Sequence, residues 1–507
     1  MLCKEFINSV HIVIDYRQSK KKGYFSYLYG IGQFLYFEWE VKFKNSYMFE
    51  KEVYIKRRAV LRDKMENGIA LFLGNVESPF NYKSNTYKFR QDSNFLYYFG
   101  LDIPGFAGVM DFDSGKEIIF GNDVDIDDII WMGVQPSVAD LAASCGVMET
   151  RPLGKLEEFI SAAKRKGRVV HYLPPYRGET IMTLASLLGE NPLAMESKAS
   201  DSLKRSVIAM RSIKEDIEIA EIEDAVAIAY DMHVTAMKMC EPGVREQEIY
   251  GRLEGISLSA GAGVSFPIIL SMNGQTLHNH DHSGILEEGR FMVVDAGAET
   301  NRHYASDITR TTPVGRKFNT MQREIYEIVL KANMEAIKAT RPGASNRDTH
   351  ILASKVLATG LKDIGLMRGD VDEAVMAGAH ALFMPHGIGH MLGLDVHDME
   401  GLGENLVGYD EKVKRSDQFG LAFLRFALQY QPGHVFTIEP GIYFIPELID
   451  MWSAEKKLSE FIDYDMARKY LPIGGIRIED NVLITADGHK VLGKPIPKSI
   501  EEIENLR

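Results

Sequence analysis

The sequence predicts a mixed α/β (α+β) protein of two domains: an N-terminal one in which strands alternate with helices, residues 48–205, and a larger one built as a duplication, residues 206–507. Three observations carry this. Short apolar runs separated by helical stretches fill the first half, a helix–turn–helix pattern recurs in the second, and an apolar strand ending in an acid before glycine also occurs there twice. At 507 residues the chain is long enough for two or three domains with substantial cores.

The first 47 residues stand apart, because "KKKGYFSYLYGIGQFLYFEWEVKF" is dense in aromatics and lysine, has no clear period and lacks the apolar core of a signal peptide. Residues 1–47 are therefore expected to be an extension outside the fold, with translation starting at Met48; a basic arm for a partner or membrane surface is the alternative. From Met48 a helix carrying Val53, Ala59, Val60 and Met65 leads into strands "IALFLG", "FAGVMDF", "KEIIFG" and "RVVHYLP", with the helical "SVADLAASCGVMET" between the last two. A long helix opens the second domain, with Ile217, Ala220, Ile222, Ala225, Ile228, Ala229 and Met232 near helical spacing and an end at Pro242-Gly243.

Inside that domain helix–"CEPGV"–helix matches helix–"TRPGA"–helix, and "EGRFMVVDAGA" (288–298) matches "PGHVFTIEPGI" (432–442). Asp295 then falls on Glu439 and Gly297 on Gly441. Each segment is followed by a strand with its own acid, in "ASDITRTTPVG" and "GGIRIEDNVLIT", which pairs Asp307 with Glu479. An unpaired carboxylate on an apolar strand is costly. One such acid is readily explained by an arginine such as Arg310 or Arg477, but four in duplicated positions repel unless cations sit among them, and two divalent ions would balance them.

The stretch "FMPHGIGHMLGLDVHD" adds His386, His390 and His397. Gly387 and Gly389 argue against a regular helix, so this is not the zinc motif of two histidines on one helical face. A neutral imidazole would complete the oxygen ligand set, and His390 is the candidate. Such nitrogen and oxygen donors without thiolate suit Mn, Co or Zn. Paired metals lower the pKa of a shared water towards about 7 and polarise a carbonyl, which is hydrolytic equipment. His278, His386 and His397 are candidates for donating to an oxyanion or handling protons, whereas His280 and His282 read as loop residues.

The totals exclude other classes. A formal charge of −13 argues against a nucleic-acid surface, no run reaches the ~18 apolar residues of a membrane span, and three scattered cysteines fit a reducing cytoplasm rather than a disulfide framework.

From about Met48 to the C-terminus these motifs together resemble the aminopeptidase P and prolidase group of metallopeptidases, whose catalytic domain has the duplicated pita-bread fold. The resemblance implies cleavage of the Xaa-Pro bond in proline-containing peptides by two divalent ions, with manganese expected and cobalt or zinc as alternatives. It places the ligands on Asp295, Asp307, His390, Glu439 and Glu479, substrate-side histidines on His278, His386 and His397, proton transfer on Glu439, and the lining of the proline pocket together with support of the metals on Tyr443 and Arg477. "YKFRQDSNFLYYFGLDIPGFAGVMD" resembles the aminopeptidase P N-terminal domain, which implies a homo-oligomer, dimer or tetramer.

Three departures from the family pattern are visible. Eleven residues between Asp295 and Asp307 suggest a bulged hairpin, Asn279 stands where an aromatic follows the histidine, and Gly401 to Gln431 reads as an enlarged loop beside the site. A dipeptide-restricted prolidase is the near alternative. A non-catalytic pita-bread binding module is the distant one, and the presence of all five ligand positions argues against it.

Overall fold

A computed structural model describes residues 48–506 together with the backbone of two paired strands, Tyr24–Tyr27 and Leu35–Glu38. The expectations for residues 1–47 otherwise lie outside the described residues. The chain divides into two units, Met1–Met48 and Phe49–Arg507.

In the larger unit the helix Lys51–Lys64 leads into a five-stranded sheet in the order Glu149–Arg151, Glu117–Phe120, Ala107–Asp111, Ile69–Leu73, Val170–His171. The middle pairings are antiparallel and both edge pairings parallel, so the sheet is mixed. Ile69–Leu73 is apolar throughout because neighbouring strands cover both its edges and the helices Leu156–Arg165 and Gly178–Leu188 pack into the same core. The end of "SVADLAASCGVMET", expected to be helical, splits: Val138–Ser144 is the helix and Glu149–Arg151 an edge strand.

The long helix of the second half is Asp216–Met239, started by a capping box between Glu215 and Glu218. It and Glu246–Ala260 form one helical hairpin, and Thr320–Ala339 with Asn346–Asp363 form the second. The turns end at Gly243 (φ 88°) and Gly343 (φ 84°), a left-handed conformation that explains glycine at both places.

Each hairpin precedes a strand set. Phe291–Ala296 lies between Ile269–Ser271 and Ile308–Pro313; Val435–Ile438 pairs with Asp480–Ile484, and Gly441–Tyr443 with Gly475–Arg477. The halves meet where Glu479 N donates to Thr309 O at 3.1 Å.

The expected bulge is absent. Register runs without a shift from Phe291↔Pro313 through Ala296↔Ile308 to the Glu299↔Ala305 bridge, and the hairpin length is taken up in the turn, where His303 adopts φ 65°. The pairing of the second acids is also offset. Thr309 is the residue opposite Asp295, so Asp307 lies two positions further towards the turn, whereas the Ile438↔Asp480 and Gly441↔Arg477 pairs bracket Glu439 and Glu479 in facing positions. A two-residue offset keeps side chains on the same face of a sheet, so all four acids still point one way.

Candidate active site

That face opens into a cavity of about 710 Å³ whose wall includes Asp295, Asp307, Glu439, Glu479, His278, His386, His390, His397 and Arg477. Alternation decides which acid reaches it: in "RIED" Glu479 faces the cavity while the next residue, Asp480, is held on the other face by Arg310 (2.7 Å) and Lys498 (2.6 Å). Arg310 thus serves Asp480. Arg477 is the arginine that reaches a site acid, with Nη2 2.5 Å from Asp295 Oδ2.

His390 sits on a segment laid against Val435–Ile438. Thr437 N donates to His390 O (2.9 Å), and His390 N donates to Thr437 Oγ1 (3.1 Å). Gly389 allows this approach, since a Cβ there would stand 1.9 Å from Thr437 O. The His390 Nδ1–H donates to Met391 O (3.1 Å), which leaves Nε2 as the lone-pair atom, 3.3 Å from Asp307 Oδ2 and 3.8 Å from Glu439 Oε1. Donor atoms of Asp307, His390 and Glu479 all lie within 4.8 Å of one another.

The electrostatics are those of acids that outnumber the positive charge beside them, with Arg477 set against four carboxyl groups. Burial, with Asp295 adding to it, raises the Asp307 carboxyl well above its usual range, and burial with Asp307 does the same to Glu479. Glu439 is pushed up to about 7 by burial, with Asp307 and Asp295 acting against the pull of His390 and Arg477. Asp295 Oδ1 and Asp307 Oδ1 are buried without a hydrogen-bond partner among the described residues. Partnerless carboxylate oxygens beside an imidazole lone pair are a donor set that divalent cations fit, and cations would bring Asp307, Glu439 and Glu479 back towards their ionised form.

Around the acids runs a fixed chain. Arg477 Nη1 donates to Tyr443 Oη (2.8 Å), whose hydroxyl donates to His386 Nε2 (2.9 Å), while His386 Nδ1–H donates to Gly387 O (2.7 Å). Both ring nitrogens of His386 are thereby engaged within the protein. Burial, with the Arg477 charge, pushes its pKa down to about 3, so it is neutral. Tyr443 is fully buried behind Arg477 and His386 and does not line the cavity, which corrects the expectation of pocket surface there.

His278 stands exposed on the cavity wall, as does His280, which reads from sequence as a loop residue only. His282 is in the same loop but buried, bonded to Leu270 O (3.0 Å) and stacked on Tyr250. Asn279 donates to Ser271 Oγ (2.9 Å) and so braces this loop.

Sequence reasoning missed Thr309, whose hydroxyl donates to Glu479 Oε2 (2.8 Å) and accepts from Arg477 Nε (3.1 Å). Its signal was the alternation Asp307, Thr309, Thr311 along one face of the strand. It also missed Arg415 and Arg425, brought to the wall by the loop after Gly401.

With this geometry in place, comparison with known proteins is decisive. Residues 220–486 match Metallopeptidase family M24. The chain belongs to this family. Residues 54–171 match the Aminopeptidase P, N-terminal domain. Among similar proteins, a probable Xaa-Pro aminopeptidase of Fusarium vanettenii is 32% identical over 454 residues, covering 88% of this chain and 94% of the relative. The human Xaa-Pro dipeptidase is 30% identical, covering 82% and 84%. Zinc-substituted Escherichia coli aminopeptidase P in complex with product superposes with a TM-score of 0.74 at 27% identity, covering 90% of this chain and 98% of that one.

Proposed function

We propose that this M24 protein is an Xaa-Pro aminopeptidase, which hydrolyses the bond before proline and releases the N-terminal residue. The observation that carries the reading is the gathering of Asp307, Glu439 and Glu479 around His390 Nε2, with Asp295 on the same cavity wall and two carboxylate oxygens left without partners among the described residues. Asp295, Asp307, His390, Glu439 and Glu479 would hold two divalent ions, for which manganese is our assignment and cobalt or zinc the alternatives. When bound, such ions supply an activated water and a polarised substrate carbonyl.

The chain's own groups do the rest. Glu439 accepts the proton of the attacking water and returns it to the departing proline nitrogen, which carries no N–H of its own and leaves only when protonated. His397 and His278 meet the substrate from the cavity wall. His386, with both nitrogens engaged, transmits the Arg477–Tyr443 chain to the site instead of donating to substrate itself. Arg477 holds Asp295 in place while lining the cavity.

We assign self-association to the helix Ile126–Met132, where Ile130 and Trp131 are 69% and 86% exposed, because apolar surface of this kind marks interfaces. Among the described residues no helix is long and apolar enough to cross a membrane. The buried thiols Cys145 and Cys240 suit the reducing cytoplasm we assign to it.

One observation favours a second reading, a dipeptidase. Arg415 and Arg425 bring guanidinium groups to the cavity wall, paired with Glu404 and Glu400 but with further N–H donors that the carboxylate of a short peptide could meet. Hydrolysis of Xaa-Pro-Yaa against Xaa-Pro with added metal separates the two: cleavage of the tripeptide supports the aminopeptidase, and turnover confined to Xaa-Pro moves the assignment to dipeptidase.

A further inference from the structure

Behind His397 lies a device that the ligand set does not require. The Nδ1 of His397 is 3.1 Å from Glu400 Oε2, and the other oxygen of Glu400 is 2.5 Å from Arg425 Nη1. A carboxylate only accepts, so His397 is held with its proton on Nδ1 and its Nε2 turned away from Glu400. The ring lies beside His390, with centroids 4.1 Å apart.

The backbone is bent to make this contact. His397 O accepts from Glu400 N (3.2 Å), closing a turn in which Met399, a residue with a side chain, takes φ 65° and is nevertheless buried. A left-handed non-glycine residue is uncommon and persists where its surroundings fix it. Here the conformation returns Glu400 to the ring three residues earlier. Asp398, between them, is anchored by Arg211 (2.6 Å) and Lys214 (2.8 Å), so the turn is fixed from behind as well.

We propose that Glu400 is a positioning residue for His397: it sets the ring's tautomer and orientation, with Arg425 holding the carboxylate in place, so that Nε2 is the atom His397 offers the substrate. This rests on the proposed peptidase reading. Residues that orient a catalytic or ligating histidine typically change activity 10–100-fold when removed.

The test is a double-mutant cycle with a spectroscopic arm. Glu400→Ala should lower kcat on an Xaa-Pro-Yaa peptide by at least about tenfold with metal content unchanged, and Glu400→Gln, which still accepts a hydrogen bond, should recover most of it. In a His397→Ala background the Glu400→Ala change should have less than about a twofold further effect. A merely structural loss lowers the active fraction equally in both backgrounds. Nitrogen-15 shifts of His397 in the metal-loaded protein should report the Nδ1–H tautomer in the parent and its loss in Glu400→Ala. Equal fold-losses in the two backgrounds, parental kcat in Glu400→Ala, or an unchanged tautomer would overturn the proposal. A parent that shows this tautomer but cleaves no proline peptide would refute the peptidase reading and leave the positioning of the ring standing.

Discussion

Arg477 Nη2 lies 2.5 Å from Asp295 Oδ2 and joins the two halves of the duplicated domain, Arg477 from the second and Asp295 from the first. Both groups are buried, so removing the guanidinium leaves a carboxylate without its counter-charge. Breaking such a pair typically costs about 3–5 kcal/mol. Arg477→Ala should therefore destabilise the metal-free protein by that order, and added Mn should recover much of it by supplying positive charge at Asp295. Urea unfolding with and without metal measures this. An equal loss in both conditions would show that Asp295 does not face the metals.

His390→Ala and Glu479→Ala should each lose bound metal and peptide cleavage while remaining folded. Each contributes a donor atom to the cluster of Asp307, His390 and Glu479. Elemental analysis beside circular dichroism checks it, and full metal content in either variant would remove that residue from the ligand set.

Asp398 carries a pH dependence. Burial alone would raise its carboxyl, but Arg211 and Lys214 outweigh burial and hold it below the ordinary value. A depressed carboxyl stabilises the fold fully above the unfolded value of about 4, and that stability is lost as pH falls through the folded one. Asp398→Asn should thus cost about 3–5 kcal/mol near neutrality and show a smaller further loss below about pH 4 than the parent. Coincident urea midpoints for the two proteins across this range would contradict the assignment.

Much of this site was legible because an acid in or directly after an otherwise largely apolar, fully buried strand is a strong signal, and here it recurs in duplicated positions. An acid at Asp295 or Glu439, amid residues that bury both faces, has few structural explanations. What was not legible depended on register between strands far apart in sequence. Asp307 and Glu479 look equivalent when the segments are aligned by glycine, yet their facing residues differ, because the Asp295 strand pairs locally with Thr309 across a longer hairpin. Tyr443 read as pocket surface because the family resemblance places it there, whereas its own side chain lies behind Arg477. The mixed sheet of the N-terminal half was hidden for another reason: Glu149–Arg151 is a short, half-buried edge strand with little apolar periodicity.

Kinetics on matched Xaa-Pro-Yaa and Xaa-Ala-Yaa peptides in added Mn test the central claim most directly. A pocket distinguishes the few methylenes of the proline ring by ~1–3 kcal/mol, so kcat/KM should favour proline at least about tenfold, with the N-terminal residue as product. Equal kcat/KM for the two peptides, or undiminished cleavage after metal is removed, would contradict it.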